Sequence, residues 1–148
     1  MCLLHKCNCI FFLVAGIFIS PGVYGNSPIG ILEIENNVIS VEIARTKEEH
    51  AQGLMYRKSL GKYDGMLFIY KNKNNLCMWM KNTLIPLTVL FIDERGYVLE
   101  TKDMVPNTVT PHCSKNKVRF ALEVETEWLK STNIMPKSRI TNLHSVEN

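Results

Sequence analysis

Val118-Arg119-Phe120-Ala121-Leu122-Glu123-Val124 alternates without a break, placing Val118, Phe120, Leu122 and Val124 on one side and Arg119, Ala121 and Glu123 on the other. Successive side chains of a strand point to opposite faces, so the pattern predicts a β-strand with its apolar side turned to a core. Glu123, opposite that side, is expected to be a solvated or paired carboxylate.

Moving outward, Asp93-Glu94-Arg95-Gly96 is a turn signal between two apolar runs, residues 87–92 and 97–100, which read as a hairpin. Residues 76–80 and 66–70 are also strand-like, and polar residues 71–75 between them read as a loop. Gly61 and the Asp64-Gly65 pair punctuate the chain before residue 66. Residues 38–44 alternate, with Ile39, Val41 and Ile43 facing one way and Ser40, Glu42 and Ala44 the other. Thr46-Lys47-Glu48-Glu49 follows as a capping box that opens a short helix. Downstream, Thr126 is placed to cap a brief helix carrying Trp128 and Leu129, and residues 139–143 read as a last strand. About seven strands and two short helices predict an α+β fold: a single compact domain with a mostly antiparallel β-sheet or small barrel.

Composition agrees with a folded domain, 46% hydrophobic and 21% charged in 148 residues. A formal charge of +3 is too small an excess to imply nucleic acid. Residues 1–25 have one cation, Lys6, then the apolar run 10–19, then Val23 and Gly25 as small residues before a cut at Asn26, the plan of a signal peptide. As a helix, that run reaches roughly 15 Å, half of a ~30 Å hydrocarbon core. Residues 26–148 are therefore expected to be one domain in a periplasmic or secreted protein; membrane association would come only from an uncleaved amino-terminal segment. Cys2, Cys7 and Cys9 precede the apolar run, which excludes a lipid-modified Cys after it.

Cleavage leaves Cys77 and Cys113. An oxidising compartment favours a disulfide; the alternatives are two buried thiols, or half of a metal site completed by His50, His112 or His144. Met55, Met66, Met78 and Met80 suit Cu(I) as thioethers, but on strands and a helix end they read as core filler.

Three blocks of sequence resemble the DUF192 family (domain of unknown function 192). They are Gly53-Leu54-Met55-Tyr56-Arg57; Gly65-Met66-Leu67-Phe68 with Trp79-Met80-Lys81-Asn82-Thr83-Leu84-Ile85-Pro86-Leu87; and Ala121-Leu122-Glu123-Val124. The resemblance spans about residues 38–143 and implies a β-rich α+β domain, often exported in bacteria, without an established activity. Family members usually carry Asp after the Pro-Leu pair, where Thr88 stands here, and a Gly-Asp turn where Lys137-Ser138 stands.

The densest polar and aromatic cluster is Trp79, Lys81 and Asn82: an apolar plate, a cation, and an amide that donates and accepts. Arg57, between a helix and a Gly-punctuated loop, is suited to clamp a carboxylate or phosphate. Together these four residues predict a ligand-binding site for an anionic or sugar-like small molecule in an exported binding or accessory domain; an envelope protein is the other expected partner. The competing readings are architectural: Asn82 and Thr83 bonding the backbone at a turn, Lys81 pairing with Asp93 or Glu123, Arg57 in a salt bridge across the sheet. A second functional reading is a hydrolytic or transfer enzyme using Lys81 or Glu123 in acid-base chemistry. No Gly-x-Ser-x-Gly elbow, His-Glu-x-x-His pair or phosphate loop occurs, His50 sits among charged helix residues, and adjacent His112 and Cys113 rarely converge as base and nucleophile. The sequence calls for no cofactor and no metal.

Overall fold

The computed structural model describes residues 28–147. In chain order the strands are β1 (Ile29–Ile34), β2 (Asn37–Ala44), β3 (Gly65–Asn74), β4 (Cys77–Met78), β5 (Leu87–Ile92), β6 (Val98–Met104), β7 (His112–Cys113) and β8 (Val118–Glu125). The helices are α1 (Lys47–Gln52) and α2 (Thr126–Lys130), with a 3-10 turn at Leu143–Val146. Six strands form one mixed sheet in the order β1-β2-β3-β8-β5-β6, in which only β2 and β3 run parallel, and β4 pairs with β7 separately.

The alternating segment is thus an interior strand, hydrogen-bonded to β3 on one side and β5 on the other. Phe120, Leu122 and Val124 point into a core shared with Val41, Ile43, Leu67 and Leu90, covered by Leu129 of α2 and by Ile134, Ile140, Leu143 and Val146. The opposite face is covered as well. Leu54, Leu60, Leu76, Met78, Met80 and Ile85, from the segments before β3 and around β4, pack on Met66, Phe68, Val89, Phe91 and Ala121. Each of these apolar side chains removed from water contributes about 1.5–3 kcal/mol, so irregular segments close this face as effectively as a helix would. At the start of β3 only glycine fits: a Cβ on Gly65 would stand 2.3 Å from the Glu123 carbonyl oxygen.

The α+β class, the hairpin of β5 and β6 and the capping box hold; Glu49 N–H donates to Thr46 Oγ1 at 3.1 Å and Thr46 N–H to Glu49 Oε2 at 2.8 Å. Backbone donors from Arg45 and Thr46 hold the Glu49 carboxyl below its usual range. Several expectations are corrected. The sheet is open and not a small barrel: residues 139–140 join its two edges only through isolated bridges, Ile34 with Ile140 and Tyr97 with Arg139. Residues 139–143 therefore make no strand, because their backbone groups divide between two edges, Ile140 N–H going to Gly96 O and Thr141 N–H to Glu33 O. Residues 71–74 continue β3 instead of looping, since polarity marks exposure and not backbone shape. Residues 76–80 shorten to a two-residue strand, and α2 is capped by Glu125 without a side-chain bond, Thr126 being its first residue. β1, an edge strand joined to β2 by a tight turn, was not anticipated. The export segment with its cut at Asn26 lies outside the described residues.

Cys77 and Cys113 oppose each other on β4 and β7 and are joined as a disulfide, their Cα atoms 3.9 Å apart, closer than the usual ~4.4 Å lower bound. The free-thiol and metal-site readings of this pair fall away. The bridge closes a loop over a sequence separation of 36 and fixes the segment that enters Trp79. On the chain-entropy model a loop of this length is worth about 4 kcal/mol. Denaturant unfolding with and without reductant should show a loss of that order, with the residual fold retaining its β-sheet circular dichroism.

Candidate functional site

Two of the covering segments meet each other beyond α1. After α1 the chain turns at Gly53, buries Leu54, and brings Tyr56 into the left-handed region at φ 66°. In the second segment, Thr83 N–H donates to Met80 O at 3.1 Å, closing a turn in which Asn82 takes φ 54°, a conformation asparagine tolerates better than most residues. Tyr56 N–H then donates to Asn82 O at 2.7 Å, and Asn82 Nδ2 donates to the Tyr56 hydroxyl at 2.7 Å. The two segments are clasped by backbone and side chain together.

The four residues expected to bind ligand divide at this clasp. Trp79 is half exposed, with Lys81 Nζ 5.8 Å from its ring centroid, and Asn82 forms the clasp itself. Arg57 follows Tyr56 into the same region, but its guanidinium turns to Glu42 on β2, Nη2 to Oε2 at 3.0 Å with Nη1 on Oε1. This is the salt bridge across the sheet. Its charge is balanced by a buried carboxylate, so Arg57 is a fixed strut as well as a cation at the rim. Thr83 donates to Lys81 O at 3.3 Å, the turn-closing role. Lys81 does not pair with Asp93, which holds Arg95, or with Glu123.

Glu123 corrects the sequence reading. It is 4% exposed, neither solvated nor paired, and makes no hydrogen bond or ion pair among the described residues. Its row across the sheet is Glu42, Met66, Glu123, Val89 and Lys102, so apolar side chains flank it on both neighbouring strands. Glu42 stands one strand beyond Met66, with the two carboxylate-bearing backbones about 10 Å apart. Burial raises the Glu123 carboxyl to about 8, leaving it largely protonated at neutral pH. Tyr70, on the same face, is raised by its own burial and then by Glu123. Its ring stacks on His50 at 4.2 Å, and His50 Nε2 lies 3.1 Å from Ala44 O. His50 is thus half-buried and occupied rather than on an exposed charged helix surface.

Met66, Met78 and Met80 are buried in the core and Met55 is half-buried. Among the described residues no group of three or more His, Cys, Asp or Glu is placed to hold a metal ion. Thr88, where the family usually carries Asp, is buried and donates to Asp103 Oδ1 at 2.6 Å, with the Thr126 hydroxyl 3.1 Å away. Sequence reasoning missed Tyr56 and Glu42. The signal for Glu42 was the string of apolar residues in the flanking segments, which need a sheet face to cover and so bury both sides of β2.

Two measurements follow. The Glu123 carboxyl titrates near its ordinary value when unfolded and near 8 when folded, so the stability it confers is complete below about pH 4.5 and declines as pH rises toward 8. Glu123→Gln should flatten that decline and exceed the parent in stability by a few kcal/mol at pH 8, by denaturant titration across this range. Arg57→Ala should cost about 2–3 kcal/mol in the same assay, because it strands the Glu42 carboxylate away from water.

The DUF192 family (Uncharacterized ACR) matches residues 30–142. No curated protein matches. Among solved structures, the chain is similar to a protein from Sinorhizobium meliloti 1021 whose suggested role is transcription regulation, with 28% identity and a TM-score of 0.75 over 78% of this chain and 95% of that one. It is also similar to a protein of unknown function from Novosphingobium aromaticivorans DSM 12444, with 29% identity and a TM-score of 0.74 over 81% of this chain and 89% of that one. With a match across the whole sheet and both covering segments, the chain belongs to the DUF192 family.

Proposed function

We propose that this domain is an exported binding or accessory module that holds a small polyhydroxylated, sugar-like ligand against Trp79. The observation that supports the reading is the clasp of Tyr56 and Asn82, which sets two exposed aromatic rings and an amide on adjoining segments. A sugar offers C–H faces to aromatic rings and hydroxyls to amide and ammonium groups, and Trp79, Asn82 and Lys81 supply that set. An anionic ligand is the weaker choice. Arg57, the residue suited to clamp a carboxylate or phosphate, already meets the carboxylate of Glu42, and Lys81 remains as the cation beside Trp79.

The acid-base enzyme reading retains one supporting observation, the neutral and unpartnered carboxyl of Glu123. Lys81 lends it little, being an exposed ammonium on a turn.

Thermal-shift screening against neutral sugars, polyols and small anions tests the proposal, since a ligand that prefers the folded state raises the midpoint. Neutral sugars should give the shift. Trp79→Ala should abolish it while moving the unliganded stability by no more than about 0.5 kcal/mol, as is usual for exposed positions. A shift that survives Trp79→Ala would place the site elsewhere.

A further inference from the structure

The clasped segments have a third neighbour. Met80 N–H donates to Thr108 O at 3.1 Å and Asn107 N–H to Thr83 O at 3.0 Å, so the loop after β6 lies alongside the turn that carries Trp79. The residues beside these bonds are apolar and turned to solvent: Leu84, Val105 and Val109 are 48%, 64% and 66% exposed, in company with Trp79 and Tyr56. Five of the chain's large exposed hydrophobic side chains thus gather on three loops fastened at one end of the molecule. Scattered singly they would be ordinary; gathered on loop tips, they mark an interaction surface.

The charged residues on the three loops themselves are of one sign. Residues 53–62, 76–86 and 104–117 contain no Asp or Glu, while Lys58 and Lys81 stand exposed beside Tyr56 and Trp79. The carboxylates that reach these loops are engaged: Asp103 accepts the Thr88 hydroxyl, Glu42 the Arg57 guanidinium and Glu100 the Lys115 N–H. Aromatic and aliphatic tips with only cations among them match the boundary of an anionic bilayer, where an indole sits at headgroup level, aliphatic side chains enter the acyl boundary and lysines meet phosphates. An acidic protein surface would satisfy the lysines but leave three exposed aliphatic tips without an apolar counterpart.

We propose that the loop end formed by Tyr56, Trp79, Leu84, Val105 and Val109 docks on the surface of a membrane containing anionic lipid. The docking surface shares Tyr56, Trp79 and Lys81 with the ligand reading above but does not rest on it, and Val105 and Val109, which take no part in that site, separate the two in the test.

The chain has two tryptophans, so Trp128→Phe leaves Trp79 as the reporter, and the amino-terminal segment contributes no indole signal. Full-length Trp128→Phe protein is mixed with phosphatidylcholine vesicles, or with vesicles of phosphatidylcholine and phosphatidylglycerol, each carrying brominated acyl chains. Trp79 emission should shift to the blue and be quenched on the phosphatidylglycerol vesicles. High salt should weaken the effect, and neutralising Lys58 and Lys81 together should weaken it roughly thirtyfold. Val105→Asp with Val109→Asp should abolish it without altering the far-ultraviolet circular dichroism. A chain keeping only Trp128 should show no quenching. Absence of quenching, equal quenching on pure phosphatidylcholine, or quenching unchanged by the Val105 and Val109 substitutions would each overturn the proposal. Trp79 emission that responds to polyglutamate and not to vesicles would overturn it in favour of an acidic protein partner.

Discussion

The fold depends on the two ladders of Val118–Glu125. This strand is paired on one side with Gly65–Asn74 and on the other with Leu87–Ile92, and joins the amino-terminal strands to the hairpin that follows. Both its faces are therefore taken by cores, its own side chains being apolar on one and interrupted by Glu123 on the other. The constraint reaches back along the chain. Gly65 must lack a side chain to let the strand approach, and the segments before and after Gly65–Asn74 must carry enough leucine and methionine to cover what would otherwise be a wet face.

Periodicity made Val118–Glu125, the hairpin and the short first helix legible, because in each the pattern and the local propensities agree. It failed where side-chain polarity was taken as a guide to burial. The alternation of residues 118–124 looks like one wet and one dry face, yet Ala121 and Glu123 are as buried as Leu122. What closes the second face is not periodic: Leu54, Leu60, Met80 and Ile85 come from turns, and only tertiary packing reveals what they cover. The candidate site was half legible. Trp79, Lys81 and Asn82 are adjacent in sequence, whereas the Tyr56 clasp and the engagement of Arg57 by Glu42 join positions far apart in the chain.

The departures from the usual family residues also have structural accounts. Thr88 keeps a hydroxyl where a carboxylate is usual, and Asp103 on the neighbouring strand supplies the acidic partner to the same buried spot. Lys137 occupies φ 88°, a region open to glycine and strained for a lysine, while Ser138 Oγ accepts Met135 N–H at 3.1 Å as an aspartate would. The turn keeps its shape with less suitable residues, at a cost in backbone strain.

Residues 139–141 tie the ends of the first and sixth sheet strands together, with Gly96 admitting the Ile140 carbonyl at a distance a Cβ would forbid. This seam has a kinetic meaning. The contacts that complete the sheet join residues 139–141 to the first strand, a separation above 100 residues between Glu33 and Thr141. A nascent chain lacks the seam until residues 139–141 have been made, and loop closure over such distances slows folding relative to locally connected domains. The protein is consequently built to emerge unlatched and to lock late.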